Sequence, residues 1–338
     1  MAVRLKDIAN DLGVSVVTVS KVLRNHSDIS EETRQRVLRR MKELNYRPNL
    51  AARALVTGRT YSMGLVVPDL VNPFFSEMAK GLSSVLRKKG YSVLIASSEE
   101  DPGLEQQELE QLIARRVDAI IVASTQWTVE SFRRIEEQKI PYVLIDRHFV
   151  GLAANFVGVD DERVGFMATE HLIEQGCTRI AHIRGPEHST AVGRVQGYRR
   201  ALSKHGIAPQ PDYLVLGRTG DNAADISGHE AMLKLLALNP RPDGVFCYND
   251  PVALGAIKAI HEAGLQVPRD IAVVGCGNVM YAPFLRVPLT SVDQDSTSIG
   301  ARAGELALSL VESKSHARPK TVFVEAKVVA RESSLRSV

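Results

Sequence analysis

The chain predicts a small all-α headpiece, joined by a short hinge helix to an α/β core of two doubly wound parallel sheets. Three observations carry that expectation. Residues 4–24 hold two short helical patterns with a tight turn between them. From about residue 61, apolar β-branched runs alternate with helical patterns, and near residue 156 the alternation starts afresh.

In RLKDIANDLGVSVVTVSKVLR (4–24), Leu5, Ile8, Ala9 and Leu12 recur at helical spacing and Gly13 stands where the chain must turn. Ser15 can cap a second helix that carries Val19, Val22 and Leu23 inward. This is the pattern of a helix-turn-helix. Val16, Val17, Thr18, Ser20 and Lys21 are left facing outward at the start of the second helix. In such a motif that end enters the DNA major groove, where small apolar groups meet thymine methyls and hydroxyls or a lysine reach bases and phosphates. Val16 and Val17 bring no hydrogen bond to a base edge, so discrimination there rests on methyl contact and DNA shape. Charge agrees with a nucleic-acid reader. Residues 1–60 carry 12 basic side chains against six acidic ones, a surplus of six, whereas the whole chain has 42 against 39. A basic head therefore sits on a mildly acidic body.

In the core, the runs MGLVVP (63–68), YSVLIAS (91–97), DAIIVAS (118–124) and YVLID (142–146) are separated by helical patterns at 74–88, 104–116 and 128–138. A second series follows with FVGVD (156–160), RIAHIRG (179–185), YLVLG (213–217), GVFCYND (244–250) and IAVVGCGN (271–278). Strand and helix taken in turn give a parallel sheet covered on both faces, and a ligand then sits at the carboxyl ends of the strands, between lobes. Phe74 and Phe75, Asp146, Asn249 and Asp250, and Gln294 all follow strand-like runs, and Arg194 lies near the start of a helix.

The motifs VSVVTVSKVLRN (14–25), ISEETRQRVLRRMKELNYRPN (29–49), AARALVTGRT (51–60), VVPDLVNPFFSEMAKGL (66–82), CYNDPVALGAIKAI (247–260) and PLTSVDQD (288–295) together resemble the LacI/GalR-type transcriptional regulators, over essentially the whole chain. The resemblance implies a headpiece over 1–48, a hinge helix and linker over 49–60, and a two-lobed, periplasmic-binding-protein-like core over 61–338. Its last segments cross back, giving a first lobe of about 61–158 plus 293–320 and a second of about 159–290 plus 321–338. The implied DNA-contacting set is Arg4, Leu5, Lys6, Ser15, Val16, Val17, Thr18, Ser20, Lys21, Ser30 and Thr33, with Asn49, Ala52 and Leu55 in the hinge. Leu55 matches the residue that wedges between bases of the minor groove, where unstacking is offset by the contacts of bent DNA. A helix this short is marginal alone and is expected to order only when paired on DNA. The implied effector-binding set is Phe74, Phe75, Asp146, Thr190, Arg194, Asn249, Asp250, Asn278 and Gln294.

The resemblance implies a repressor that binds a pseudo-palindromic double-stranded operator as a homodimer, under allosteric control by a small molecule, a sugar or sugar derivative. A purine or other non-sugar effector, and activation at some promoters, stay open as alternatives. One departure bears on this. Where many family members carry a carboxylate after the fifth strand of the second lobe, this chain has Gly277, in the run Gly275, Cys276, Gly277, Asn278. The anchor for a sugar hydroxyl is then left to Asp146 or Asn278. After VFVEAKVVARESS (322–334) no heptad-patterned extension follows, so a dimer is expected rather than a tetramer.

Other classes fit poorly. A dinucleotide enzyme needs a glycine-rich turn after its first strand, and PDLVNPFF has no glycine. No metalloprotease helix or nucleophile elbow is present, and the nine histidines are scattered, so neither a catalytic role nor a cofactor or metal is expected. A sugar-transport protein of the same two-lobed build would need a secretion signal and would lack residues 1–60. The N-terminus is polar, and no run approaches the roughly 18 apolar residues of a membrane helix, so a soluble cytoplasmic protein is expected. Cys177, Cys247 and Cys276 are odd in number and each lies in or beside an apolar run, which reads as core thiols rather than a disulfide framework.

Overall fold

The computed structural model describes residues 3–23, 26–46, 54, 57–149, 151–217, 224–313 and 318–336. The chain forms two compact units, 1–60 and 61–338. The hinge residues Asn49, Ala52 and Leu55 lie outside the described residues.

The N-terminal unit contains α1 (Leu5–Leu12), α2 (Val16–Leu23) and α3 (Glu31–Glu43). Its core is most of the set the helical spacing requires: Ile8, Ala9, Val19, Val22, Val37 and Met41 are buried together, with Leu5 and Leu12 packed against them, whereas Leu23, expected inward, is 38% exposed at the end of α2. Gly13 ends α1 at φ +65°, a conformation that costs glycine nothing. Ser15 Oγ accepts from the Thr18 N–H at 3.0 Å and Ser30 Oγ from the Thr33 N–H at 3.3 Å, so both following helices start on a side-chain cap.

The larger unit begins with β1 (Ser62–Val67), α4 (Pro73–Lys88), β2 (Ser92–Ser97), α5 (Pro102–Ala114), β3 (Ala119–Val122), α6 (Glu130–Glu137), β4 (Tyr142–Ile145) and β5 (Asn155–Gly158). It continues with α7 (Asp161–Glu174), β6 (Ile180–Arg184), α8 (Ser189–Lys204), β7 (Leu214–Leu216), α9 (Ala224–Leu236), β8 (Gly244–Cys247), α10 (Asp250–Glu262), β9 (Ala272–Cys276) and β10 (Thr290–Asp293). The chain closes with α11 (Ser296–Glu312), β11 (Thr321–Phe323) and β12 (Lys327–Val329). The strands form two six-stranded sheets, ordered β11-β5-β4-β3-β1-β2 and β12-β10-β9-β8-β6-β7. Among the described residues every strand pairing is parallel except β10 with β12. The central strands β3, β4, β8 and β9 are buried along their whole length, as expected of strands with helices on both faces.

The lobe boundaries differ from those expected. β10 keeps residues 290–293 in the second sheet, and Thr321–Phe323 pairs with Asn155–Gly158 in the first, so the second lobe resumes only with β12. Hydrogen bonding decides this: β11 completes the open edge beside β5, while β12 turns antiparallel to cover β10.

Three helix pairs cross on reciprocal glycines: Gly81 with Gly300, Gly165 with Gly197, and Gly228 with Gly255. A Cβ at Gly165 would stand 2.1 Å from the Arg194 carbonyl oxygen, and one at Gly197 would stand 2.0 Å from that of Glu162. This close approach of α7 to α8 brings Arg194 against Asp161.

Candidate functional site

The carboxyl ends of the parallel strands meet across the space between the lobes and enclose a cavity of about 230 Å³. Asn72 caps α4 by accepting from the Phe74 N–H at 3.1 Å, which sets Phe74 and Phe75 at the cavity wall with their rings edge to face. Asp146 follows β4 in a left-handed turn (φ +60°), closed by the Arg147 N–H bonding to the Ile145 carbonyl at 2.5 Å. Such a strained turn holds the carboxylate at the cavity, 7% exposed.

The guanidinium groups around Asp146 are already committed. Arg147 binds Glu100 through two hydrogen bonds of 2.6 and 2.9 Å, and Arg194 donates to Asp161 at 2.9 Å and to the Tyr248 carbonyl at 2.6 Å. Arg194 also lies over the Tyr248 ring, 4.7 Å from its centroid. Burial raises the Asp146 pKa, and the charges of Arg147 and Arg194 oppose that rise. Burial also lifts Asp161 against the pull of Arg194, while on Arg194 burial works against the charge and the neighbouring Cys276 and Asp161 outweigh it, keeping the guanidinium protonated. Two buried donors that reach the cavity, Gln294 Nε2 and Arg147 Nε, have no hydrogen-bond acceptor among the described residues.

Of the expected effector set, Phe74, Phe75, Asp146, Arg194, Asn249 and Gln294 line this cavity, and three do not. Asp250 is fully buried and serves the core, accepting from the Val279 N–H at 2.8 Å and the Ser291 hydroxyl at 2.6 Å. Thr190 lies behind Tyr248, its hydroxyl 2.8 Å from the phenol oxygen. Asn278 turns to Arg331, which donates to its Oδ1 at 2.6 Å, so it does not stand in for a carboxylate at Gly277. The sequence reading missed Glu100, Trp127, Arg147, His188, Tyr248 and Cys276, all of which line the cavity. Trp127, the single tryptophan, sits on a loop just past a strand end, and that was the available signal.

In the N-terminal unit, Val16 and Val17 are 42% and 61% exposed at the start of α2, which leaves their methyl groups facing outward. Arg4 and Lys6 are exposed, whereas Leu5 is half-buried in the core. Lys21 is held by an ion pair with Asp28, and Thr33 Oγ1 accepts from the Ser30 hydroxyl at 2.9 Å. Ser20 is half-buried on the same helix.

Residues 4–49 match the model described as "Bacterial regulatory proteins, lacI family", and residues 169–334 match the periplasmic binding protein-like domain. The chain is 31% identical over 331 residues to the HTH-type transcriptional repressor PurR of Aliivibrio salmonicida (strain LFI1238), covering 97% of this chain and 98% of that one. It belongs to the lacI family of bacterial regulatory proteins. Another member, the HTH-type transcriptional regulator GalR of Escherichia coli (strain K12), is 35% identical over 311 residues, 92% of this chain and 90% of its own. The Lac repressor dimer bound to operator and the anti-inducer ONPF superimposes with a TM-score of 0.86 at 27% identity, covering 99% of this chain and all of that one. Among the described residues no helix is long and apolar enough to cross a membrane.

Proposed function

We propose that this chain is a cytoplasmic, non-enzymatic transcriptional repressor that binds a pseudo-palindromic operator as a homodimer and is switched by an uncharged, hydroxyl-bearing ring compound, a sugar or sugar derivative, held between its lobes. The observation that carries the effector part is Asp146. Its carboxylate is buried at the cavity with its nearest ion partner, Arg147 Nε, 3.9 Å away, beside the unpartnered Nε2 of Gln294. A ligand there must both donate and accept hydrogen bonds, as a hydroxyl does. Because Arg147, Arg184 and Arg194 are each paired with a carboxylate, the cavity offers no surplus positive charge to a phosphate or a carboxylic acid.

The exposed methyl groups of Val16 and Val17 support base contact by α2, with Arg4, Lys6, Ser15, Thr18, Ser20, Lys21, Ser30 and Thr33 on the surrounding backbone. Apolar surface supports self-association: Val71, Met280 and Phe284 are 79%, 70% and 85% exposed, and β2 is an edge strand with Ile95 half-exposed. A purine or other planar ring is the second reading, favoured by the Phe74–Phe75 pair at the cavity wall. The sign of control at a given promoter follows from where the operator lies.

The test is a melting-temperature screen of the full-length protein against neutral sugars, sugar phosphates, uronic acids, purines and nucleosides, since a ligand that binds only the folded state raises the midpoint. It is followed by retardation of selected DNA with and without each hit. A neutral sugar that shifts both readouts supports the proposal; a hit confined to phosphorylated or acidic sugars refutes the charge argument, and one confined to purines favours the second reading.

A further inference from the structure

Two cavities lie side by side between the lobes among the described residues. Beside the one bounded by Phe74, Asp146 and Arg194 lies another of about 420 Å³, reached by His148, Phe149 and Phe323 from the first lobe and by Val192 and Gln196 from the second. Trp127, Arg147 and His188 line both, and so form the partition between them.

The partition is built from the two lobes. Trp127 follows β3 in the first lobe, His188 precedes α8 in the second, and their rings stack 4.3 Å apart at an interplanar angle of 9°. The loop leading to Trp127 is braced by Glu105, which is fully buried and accepts from the Ser124 hydroxyl at 2.6 Å and the Thr125 hydroxyl at 2.8 Å. On the facing side the His148 N–H donates to Ser189 Oγ at 3.0 Å, and His188 Nε2 stands 3.9 Å from Glu100. Burial, together with the adjacent Arg147 charge, lowers the His188 pKa to about 4, so a neutral imidazole faces the indole. His188 is 7% exposed and Trp127 59%, which makes His188 the fixed backing and Trp127 the face open to a ligand.

We propose that Trp127 and His188 are specificity-determining residues of the cleft: their stack walls the effector cavity off from its neighbour and limits the effector to a single ring. The inference rests on the effector reading above and deepens it. Size is the first argument, because about 230 Å³ falls below the roughly 300 Å³ at which pockets for larger ligands begin. Chemistry is the second. The neighbouring cavity is flanked by Phe149, Phe323 and the His148 ring, and several polar groups there are spoken for, with Gln126 Nε2 on the Pro102 carbonyl and Glu162 on Arg200. It suits the flat face of a second ring, which the stack excludes while it is closed.

The experiment uses the full-length chain, whose only tryptophan reports on the wall directly. Calorimetric titration compares the wild type with His188→Ala, using glucose, galactose and ribose as one-ring probes and cellobiose, lactose and maltose as two-unit probes. Acrylamide quenching of Trp127 emission is measured on both proteins, and circular dichroism confirms the fold. The expected result is a two-unit to one-ring affinity ratio that rises about tenfold or more in His188→Ala, the scale of shape-based rejection, together with stronger quenching. A wild type that binds a two-unit probe as tightly as its one-ring counterpart overturns the proposal, as does a variant with unchanged quenching. If no probe binds either protein, the effector reading fails, and the quenching comparison alone then decides whether the wall exists. Trp127→Ala, tested for the same change in affinity ratio, is the second variant should His188→Ala fail to fold.

Discussion

The Cys276 thiol donates a hydrogen bond of 3.3 Å to Oε1 of Gln294, and that bond decides which end of the amide meets a ligand. With its oxygen engaged, Gln294 presents Nε2 as a donor at the cavity. Cys276→Val removes the thiol donor and lets the amide turn. Effector affinity is expected to fall about 3- to 10-fold, the worth of one net hydrogen bond, while Cys276→Ser retains most of it. Calorimetry with the identified effector measures the difference, and equal losses in both variants would dismiss the orienting role.

Asp146 and Asp250 are both buried carboxylates past strand ends, but only one serves the core. Asp250→Ala strands the Val279 N–H and the Ser291 hydroxyl and is expected to cost about 2–4 kcal/mol in urea unfolding. Asp146→Asn should change stability by less than about 1 kcal/mol and abolish the effector-induced melting shift. The reverse pattern would exchange their roles.

His182 gives the fold an acid-sensitive component. Its Nδ1 lies 2.9 Å from the Phe246 carbonyl, its ring stacks on that of Phe246, and burial lowers its pKa to about 3. Because the unfolded chain takes up this proton near pH 6.5 and the folded chain does not, stability is lost as pH falls below 6.5. His182→Phe removes that loss. Between pH 7.5 and pH 5 the variant should therefore gain about 2 kcal/mol on the wild type, whatever its absolute stability; parallel unfolding curves at the two pH values would refute it.

The crossing of α7 and α8 tolerates no side chain at Gly197. An added methyl meets the Glu162 carbonyl at 2.0 Å, so Gly197→Ala must separate the helices and with them Asp161 and Arg194. A loss of about 2 kcal/mol or more is expected, the scale of overpacking, with weakened effector binding. A neutral result would mean that the helices slide freely past each other.

At the DNA-reading end, Val16→Ala combined with Val17→Ala removes exposed methyl groups without changing charge. Specific binding is expected to weaken about 5- to 30-fold, while binding to random DNA changes less than about twofold. Competition retardation with both DNAs checks this, and equal weakening would place base reading elsewhere on the headpiece.

Local pattern made most of the fold legible. The headpiece core from Ile8 to Met41 follows helical spacing, and the strands declare themselves as β-branched runs, because both signals lie within a few residues of one another. Phe74, Asp146, Asn249 and Gln294 were legible as cavity residues for a topological reason: in a doubly wound sheet the strand's carboxyl end points to the ligand. The rest depends on pairings between distant loops. Glu100 meets Arg147 across 47 positions and Trp127 meets His188 across the two lobes, and no periodicity announces either. Asp250 misled because a carboxylate after a strand looks the same whether it turns to the cavity or to Ser291. The short strand Thr321–Phe323 was assigned to the wrong lobe because a three-residue edge strand carries almost no pattern.

The backbone passes between the lobes three times, at 158–161, 293–296 and 323–327. These passages run side by side, since β11 lies next to β5 at one end and β12 next to β10 at the other. A single tether would let one half swing, twist and slide; three abreast resist shear and torsion and leave one soft bending axis. Work done by a ligand bound between the lobes is therefore not scattered over many motions. It is delivered along that axis, much as a door on several pins can only turn.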